Sequence, residues 1–167
     1  MMTPELALTL ARYNAWQNRS IVTAADGLSD DARREDRGAF FRSIHATLNH
    51  VLWGDRMWLA RFGPYDVPEP PGIRESTAYF SAWDDYRRER AATDQALLDW
   101  SAQLIADHLD GDLTWYSGSA GREITRPKAV LVMHMFNHQA HHRGQVHAML
   151  TAAGATPEAT DIAFMPD

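Results

Sequence analysis

Histidines are concentrated in one segment near the end of the sequence, HMFNHQAHHRGQVHAML. The segment spans residues 134–150 and carries five of the chain's eight histidines. It contains no proline and a single glycine, which is typical of a long helix. Imidazole nitrogens four residues apart on one helix can reach the same metal ion. The segment therefore indicates metal binding by a His-x-x-x-His pair.

His138 and His142 fit such a pair. A helix advances about 100° per residue, so His142 lies about 40° from His138 around its axis. Both lie on the apolar stripe of this helix, which is formed by Leu131, Met135, Val146 and Met149. Two imidazoles inside a core need partners for their nitrogens, and one metal ion serves both. His134 and His141 fall at an edge of the stripe and His147 points away, which favours surface or hydrogen-bonded positions for these three.

A third ligand has to come from another helix. The segment SIHATLNHVLWGDRMWLARF, residues 43–62, offers His45, His50 and Asp55. Asp55 and His45 lie nearer to the apolar centre of this predicted helix, and His50 lies towards one edge. An interior site could use any of them, so helical geometry leaves all three candidates open.

Four long helical patterns position these residues. Apolar residues at helical spacing predict helices at residues 3–25, 43–61, 76–109 and 127–153. The third helix is predicted to begin at Ser76 or Thr77 as its N-terminal cap. Before the fourth helix, β-favouring pieces at 113–116 and 123–125 indicate a short hairpin-like excursion. The polar segment 29–41 is predicted as a loop and the tail 155–167 as extended. This order predicts an all-α four-helix bundle in one domain, residues 1–167.

Composition limits the function. With 167 residues, 45% of them hydrophobic and 23% charged, the chain is typical of a globular protein. A net charge of −6 without a Lys/Arg cluster argues against nucleic-acid binding. The absence of any long uncharged apolar run argues against a membrane span. The absence of cysteine excludes disulfides and thiolate zinc ligands. With no signal-peptide pattern at the N-terminus, a cytoplasmic protein is expected.

Three segments together resemble a known family. TLNHVLWGDRMWL, FNHQAHHRGQVHAML and the N-terminal YNAWQNR resemble the DinB/YfiT-like family of bacterial metal-dependent enzymes. The resemblance covers nearly the whole chain and is most specific at the Asn-His-x-x-x-His-Arg-Gly-Gln block, residues 137–145. It implies a four-helix bundle of the DinB/YfiT type. It also implies a divalent metal ion held by one histidine of the second long helix and two of the fourth, which here are His50, His138 and His142. The resemblance thus selects His50 where geometry left three candidates open.

The resemblance also implies a type of chemistry. Three neutral imidazoles leave coordination positions for water or substrate, as in catalytic sites. Relatives include thiol-dependent transferases and isomerases, in which an external low-molecular-weight thiol binds the metal. We therefore expect a divalent-metal-dependent enzyme that activates water or such a thiol for transfer to, or hydrolysis of, a small electrophilic substrate. Zinc or nickel fits imidazole ligands, with manganese or iron as alternatives.

Two other functions stay open at this point. The first is a stress-associated protein that binds a metal ion or small ligand without turnover. The second, less favoured, is a bundle that binds haem through two histidines, because histidines four residues apart suit one compact ion better. The expected partner is a small molecule rather than nucleic acid or a membrane. A homodimer is compatible with the resemblance, although no pattern in the sequence specifies one.

Several residues are expected around the metal ligands. Asp55, Asn137 and Arg143 are candidates for groups that support the ligands. Asp55 either orients a ligand imidazole or forms an ion pair with Arg143 or another arginine. Trp115 and Tyr116, in the excursion, are candidates for the wall of a cofactor or substrate pocket.

Other conspicuous residues are assigned to packing. Gly144 costs roughly 1 kcal/mol relative to alanine in the middle of a helix, so we expect it to permit close approach of another helix. Tryptophans on apolar stripes are expected in the core or in a dimer contact; these are Trp16, Trp53, Trp58, Trp83 and Trp100.

Overall fold

The computed structural model of the protein describes residues 2–166. This part of the chain is mostly helical and contains one small sheet. The α-helices are α1 (Pro4–Asp26), α2 (Asp30–Arg34), α3 (Ile44–Phe62), α4 (Trp83–Ala102), α5 (Ala106–Leu109) and α6 (Lys128–Ala152). The antiparallel strands are β1 (Asp112–Ser117) and β2 (Arg122–Pro127). Short 3-10 turns lie at Ser76–Ala78 and Ile162–Phe164.

Hydroxyl side chains define where three helices begin. The side chains of Thr3, Ser29 and Ser43 each accept a hydrogen bond from the backbone N–H three residues further on. This contact satisfies one of the free N–H groups at the start of a helix. At the other end of α3, Gly63 is extended and Pro64 follows, so the helix does not continue.

The four long helices pack in a ring. α1 packs against α4 and α6, and α3 packs against the same two helices. Their apolar core has two parts. One lies near the sheet, around Trp58, Trp100 and Phe136, and the other lies at the opposite end, around Ile44 and Leu150.

Buried polar side chains separate the two parts of the core. They occur at the middle level of each long helix: Asn18 on α1, Asp55 on α3, Arg90 and Asp94 on α4, and Gln139 on α6. We call these five residues the polar layer. The three histidines expected as ligands lie within about one turn of this level on α3 and α6, since they are residues 50, 138 and 142.

The predicted third helix is too long. Its last residues form the separate helix α5, and α4 ends at Ala102. Its first residues form the separate turn Ser76–Ala78, and α4 begins only at Trp83. The reason is that side chains of α3 bind the backbone of this segment. Asn49 accepts a hydrogen bond from the Phe80 N–H at 2.7 Å, and the His45 ring bonds the Phe80 carbonyl oxygen at 2.9 Å. These contacts hold residues 76–82 in a path that a helix would not follow.

Three smaller predictions also change. The fold is not purely α-helical, because the predicted excursion is a complete two-stranded sheet that is slightly longer than predicted. The polar segment 29–41 contains the short helix α2, which Ser29 caps. The tail is irregular and lies along α1, where Tyr13 and Gln17 donate hydrogen bonds to the backbone oxygens of Thr160 and Ala159.

The tryptophans lie mainly in the core, as expected. Trp16, Trp53, Trp58 and Trp100 are buried, and Trp83 is half-buried. Among residues 2–166, no helix has both the length and the apolar character needed to cross a bilayer.

Candidate metal centre

Three imidazoles from two helices converge at one point. α3 contributes His50, and α6 contributes His138 and His142, one helical turn apart. One ring nitrogen of each residue lies within 4.8 Å of the other two. The Nε2 atoms of His50 and His138 are only 3.0 Å apart. Metal–nitrogen bonds of about 2.0–2.1 Å place two ligand nitrogens of one ion roughly 3 Å apart, so this donor set suits a divalent ion such as zinc.

A glycine allows α3 to approach the His138 ring. Gly54 lies one turn after His50, and a Cβ atom built on it would stand 3.2 Å from Cε1 of His138 and 3.6 Å from its Nδ1. Any larger side chain at this position would therefore press against the ring. The spacing between α3 and the His138 imidazole depends on this missing side chain.

Two of the rings are held through the nitrogen that faces away from their neighbours. Nδ1 of His50 is 2.8 Å from the Ser76 hydroxyl oxygen, and Nδ1 of His142 is 2.8 Å from Oε1 of Gln145. Such contacts orient the rings of metal-binding histidines in known sites. The ring orientations of His50 and His142 are therefore set by protein groups.

The environment keeps all three imidazoles neutral. Burial lowers the pKa of His50 to about 4, and the nearby charge of His142 adds to the effect. Burial, followed by the charges of His142 and His50, lowers the pKa of His138 to about 3. Burial also lowers the pKa of His142. At neutral pH each ring consequently keeps the lone pair that metal coordination requires.

Aromatic side chains cover part of the cluster. The centroid of the Phe41 ring is 4.1 Å from that of His50 and 5.3 Å from that of His142. Trp53 stacks on His50 from α3 at 6.3 Å. Phe41 lies in a turn in which Arg42 adopts φ +68°, a left-handed conformation that is costly for a residue other than glycine. This turn directs Phe41 onto the histidines.

Asp55 does not contact a ligand imidazole. One carboxylate oxygen accepts a hydrogen bond from Nη1 of Arg90 at 2.6 Å, and the other accepts one from Nε2 of Gln139 at 2.7 Å. Of the two roles expected for Asp55, the structure shows the ion pair with an arginine. The partner is Arg90 on α4 rather than Arg143.

Arg143 and Asn137 also lie away from the cluster contacts. Arg143 is buried over the Tyr13 ring of α1, with its guanidinium carbon 5.6 Å from the ring centroid. Asn137 is exposed on α6. Within residues 2–166 neither side chain hydrogen-bonds to a ligand imidazole, and their role in supporting the ligands stays a prediction.

Trp115 and Tyr116 lie on opposite faces of β1. Trp115 packs against Trp58 with ring centroids 5.6 Å apart, at the edge of the core near the sheet. Tyr116 is 66% exposed. The aromatic residue closest to the ligand rings is Phe41 instead, and a pocket wall formed by Trp115 and Tyr116 remains a prediction without a contact to the histidines.

The remaining histidines and Gly144 take other positions. His45 is buried against the Phe80 carbonyl group. His134 and His141 are exposed, and His147 is partly buried, so these three lie at the periphery as predicted. Gly144 is exposed, and a Cβ there would meet no atom within 4 Å. The prediction that Gly144 permits close helix approach is wrong, and that property belongs to Gly54.

Sequence reasoning missed four residues at the site: Phe41, Gly54, Ser76 and Gln145. Gln145 had a local signal, because it lies three residues after His142 on the same helix. Ser76 was assigned to a helix cap, and no local pattern connects it or Phe41 to a histidine.

Comparisons with known proteins identify the family of this chain. The sequence profile of the DinB family matches residues 1–167. The protein named DinB of Bacillus subtilis (strain 168) is 25% identical over 162 residues, which cover 94% of this chain and 91% of the relative. No solved structure matches the chain.

Proposed function

Because the chain belongs to the DinB family, we propose that His50, His138 and His142 bind one divalent metal ion and that the loaded protein is an enzyme. One observation carries this proposal: a nitrogen from each of three neutral imidazoles lies within 4.8 Å of the others at the junction of α3 and α6. Ser76 and Gln145 also orient the rings of His50 and His142 through hydrogen bonds at Nδ1.

The proposed reaction is transfer to, or hydrolysis of, a small electrophile. A bound divalent ion supplies Lewis-acid chemistry, which lowers the pKa of a water molecule or of a thiol. The three imidazoles contribute no negative charge, which preserves the positive charge available to the reaction. Phe41 and Trp53 limit access of bulk water to the rings of His50 and His142. The chain has no cysteine, so a thiol nucleophile would come from an external small molecule.

Zinc or nickel is the proposed ion, because imidazole nitrogen is a ligand that both accept readily. Manganese and iron are less suited, since the cluster among residues 2–166 contains no carboxylate oxygen. We also propose that the ring of four long helices is the DinB type of four-helix bundle and that it forms one domain.

A second candidate function is metal or ligand binding without turnover. It is favoured by the same lack of a carboxylate among the clustered side chains of residues 2–166, since a carboxylate is a common general base. Turnover separates the two functions. The enzyme should conjugate chlorodinitrobenzene to a small thiol such as glutathione only when both zinc or nickel and the thiol are present. A rate equal to that of the metal-free protein favours the binding function.

Elemental analysis tests the metal site. Protein purified without a histidine tag should contain about one divalent ion per chain, after reloading with zinc or nickel if necessary. The substitutions His50→Ala, His138→Ala and His142→Ala should each abolish the stoichiometric ion. His134→Ala and His147→Ala are matched controls on α6 and should retain it. Equal loss in all five variants would contradict the assignment.

A further inference from the structure

Ser76 is a buried serine that bonds to two groups at once. It lies in the turn Ser76–Ala78, which packs on α3, and it is fully buried. Its hydroxyl oxygen is 2.6 Å from the backbone carbonyl oxygen of Ile73 and 2.8 Å from Nδ1 of His50. A serine hydroxyl has one proton, so it can donate only one of these two hydrogen bonds.

The chemistry of the two partners assigns that proton. A carbonyl oxygen can only accept, so the Ser76 hydroxyl donates to Ile73. Towards His50 the same oxygen must then accept, and the proton of that contact belongs to Nδ1 of the imidazole. A neutral imidazole carries one proton in total, which leaves Nε2 of His50 with a free lone pair. Nε2 is also the atom that lies 3.0 Å from Nε2 of His138.

We propose that Ser76 is a positioning residue that holds His50 in the Nδ1–H tautomer and thereby directs its Nε2 lone pair into the histidine cluster. The inference rests on the proposed metal site for its functional meaning, since a lone pair directed there serves coordination. Its structural content, the tautomer of His50, is a property of the protein without metal and can be measured separately.

Side chains of α3 place Ser76 where this contact is possible. Trp53 donates an indole hydrogen bond to the Pro70 carbonyl oxygen at 2.9 Å, and Asn49 accepts one from the Phe80 N–H at 2.7 Å. These two bonds hold the segment on either side of Ser76 against the helix that carries His50. The tautomer of His50 therefore depends on the segment 70–80, which lies between α3 and α4 and is not part of a long helix.

Gln145 fixes the tautomer of His142 in a similar way. Its side-chain nitrogen is 3.3 Å from Nε2 of His141, and its Oε1 is 2.8 Å from Nδ1 of His142. With the amide nitrogen directed to His141, Oε1 accepts a hydrogen bond from the Nδ1–H of His142. The Nε2 lone pair of His142 is then free, as it is in His50. Two of the three proposed ligands thus share one tautomer, each imposed by a different neighbour.

Nitrogen NMR of the metal-free wild-type protein tests the inference without any variant. The imidazole nitrogens of His50 should show a proton on Nδ1 and none on Nε2 at neutral pH. A His50 ring protonated on Nε2 would overturn the inference, whether or not the protein binds a metal. This readout also separates the inference from the proposed function, which fails instead if zinc does not bind.

Zinc titration of three variants tests the consequence. Ser76→Ala should weaken zinc binding by roughly 10- to 100-fold, the usual effect of removing a group that orients a metal-binding histidine. Ser76→Thr keeps the hydroxyl oxygen and should restore most of the affinity. Ser101→Ala is the control, because Ser101 is buried on α4 and its hydroxyl has no hydrogen-bond partner among residues 2–166. Wild-type zinc affinity in Ser76→Ala, with the His50 tautomer unchanged, would contradict the role.

Discussion

Gly54 and Gly144 are both glycines inside long helices, but their surroundings differ. Gly54 is buried on α3 and faces the His138 ring, whereas Gly144 is exposed on α6 beside open space. Replacing either glycine with alanine favours the helix by a similar amount, because the gain comes from the backbone. Any difference between the two substitutions therefore reports the contact of the new side chain.

Gly54→Ala is expected to weaken zinc binding roughly tenfold, the lower end of the effect of disturbing a group that orients a metal ligand. The added Cβ would lie 3.2 Å from Cε1 of His138, so the His138 ring has to shift. The shift would change the position of its Nε2 relative to Nε2 of His50. Competition with a zinc chelator measures the affinity.

Gly144→Ala is the control and should leave zinc affinity unchanged while raising the free energy of unfolding by roughly 0.5–1 kcal/mol. Urea denaturation measures this stability. Equal zinc affinities in the two variants would show that the His138 ring tolerates the extra atom, and that the close contact does not position it.

Leu113 and Trp115 of β1 pack the two-stranded sheet against the helical core. Trp115 of β1 packs against Trp58 of α3, and the Arg61 guanidinium lies over both rings, 4.5 Å from the centroid of Trp58 and 5.6 Å from that of Trp115. This contact extends the part of the core near the sheet. The contact indicates a structural role for β1. It is made at Trp58, further along α3 than His50.

Trp115→Ala is expected to lower the free energy of unfolding by roughly 2 kcal/mol, about half the cost of truncating a fully buried tryptophan, because the side chain is only half-buried. Zinc affinity should stay at the wild-type value. Urea denaturation and zinc titration of the same preparation measure the two quantities.

Tyr116→Ala serves as the control for the same strand, since that side chain points to solvent. It should change neither stability nor zinc affinity measurably. If Trp115→Ala instead weakened turnover of an identified substrate without lowering stability, Trp115 would belong to a pocket wall, as the sequence suggested.

The polar layer connects all four long helices of the molecule. Arg90 forms ion pairs with Asp55 and Asp94, with N···O distances of 2.6 Å and 2.8 Å. Asn18 of α1 donates to Asp94, and Gln139 of α6 donates to Asp55. Burial alone lowers the pKa of Arg90, but the charges of Asp94 and Asp55 raise it overall, so the guanidinium stays charged. Because Gln139 follows His138 directly, the layer also fixes the register of the ligand-bearing helix against α3.

Arg90→Met is expected to lower the free energy of unfolding by roughly 3–5 kcal/mol, the cost of leaving buried charges without their partner. Two carboxylates, Asp55 and Asp94, would lose that partner at once. Chemical denaturation at neutral pH measures the effect. Arg88→Met on the same helix is the control, because Arg88 is 65% exposed and its ion pairs are screened by water, so no measurable change is expected.

The destabilisation of Arg90→Met should grow with pH. Burial raises the pKa of Asp55 and of Asp94, and Arg90 is the group whose charge most strongly counteracts this. Without Arg90 both folded-state pKa values rise further above the unfolded value of about 3.9, so the folded protein binds still more protons than the unfolded one. Stability is then lost as pH rises from about 4 through the raised pKa values. Denaturation at acidic and at mildly alkaline pH should show the larger deficit at the higher pH, and a deficit that shrinks with rising pH would contradict this account.

The sequence by itself determined the features that depend on near neighbours. Helical periodicity located α1, α3 and α6 to within one or two residues, and it placed His138 and His142 on one face. It did so because residues four apart on a helix are adjacent whatever the rest of the chain does. The choice of His50 required more than periodicity and came from the family resemblance.

Only the tertiary structure decided which distant groups meet. His50 and His138 are 88 residues apart in the chain, and Ser76 reaches His50 only because α3 holds the backbone at Pro70 and Phe80. The same contacts delayed the start of the third helix to Trp83, since hydrogen bonds to fixed side chains outweighed the helical propensity of the preceding residues. Asp55 likewise met Arg90 rather than a histidine, because a buried carboxylate is stabilised most by a charged partner at bonding distance. None of these contacts between distant residues produces a periodic pattern in the sequence from which it could be predicted.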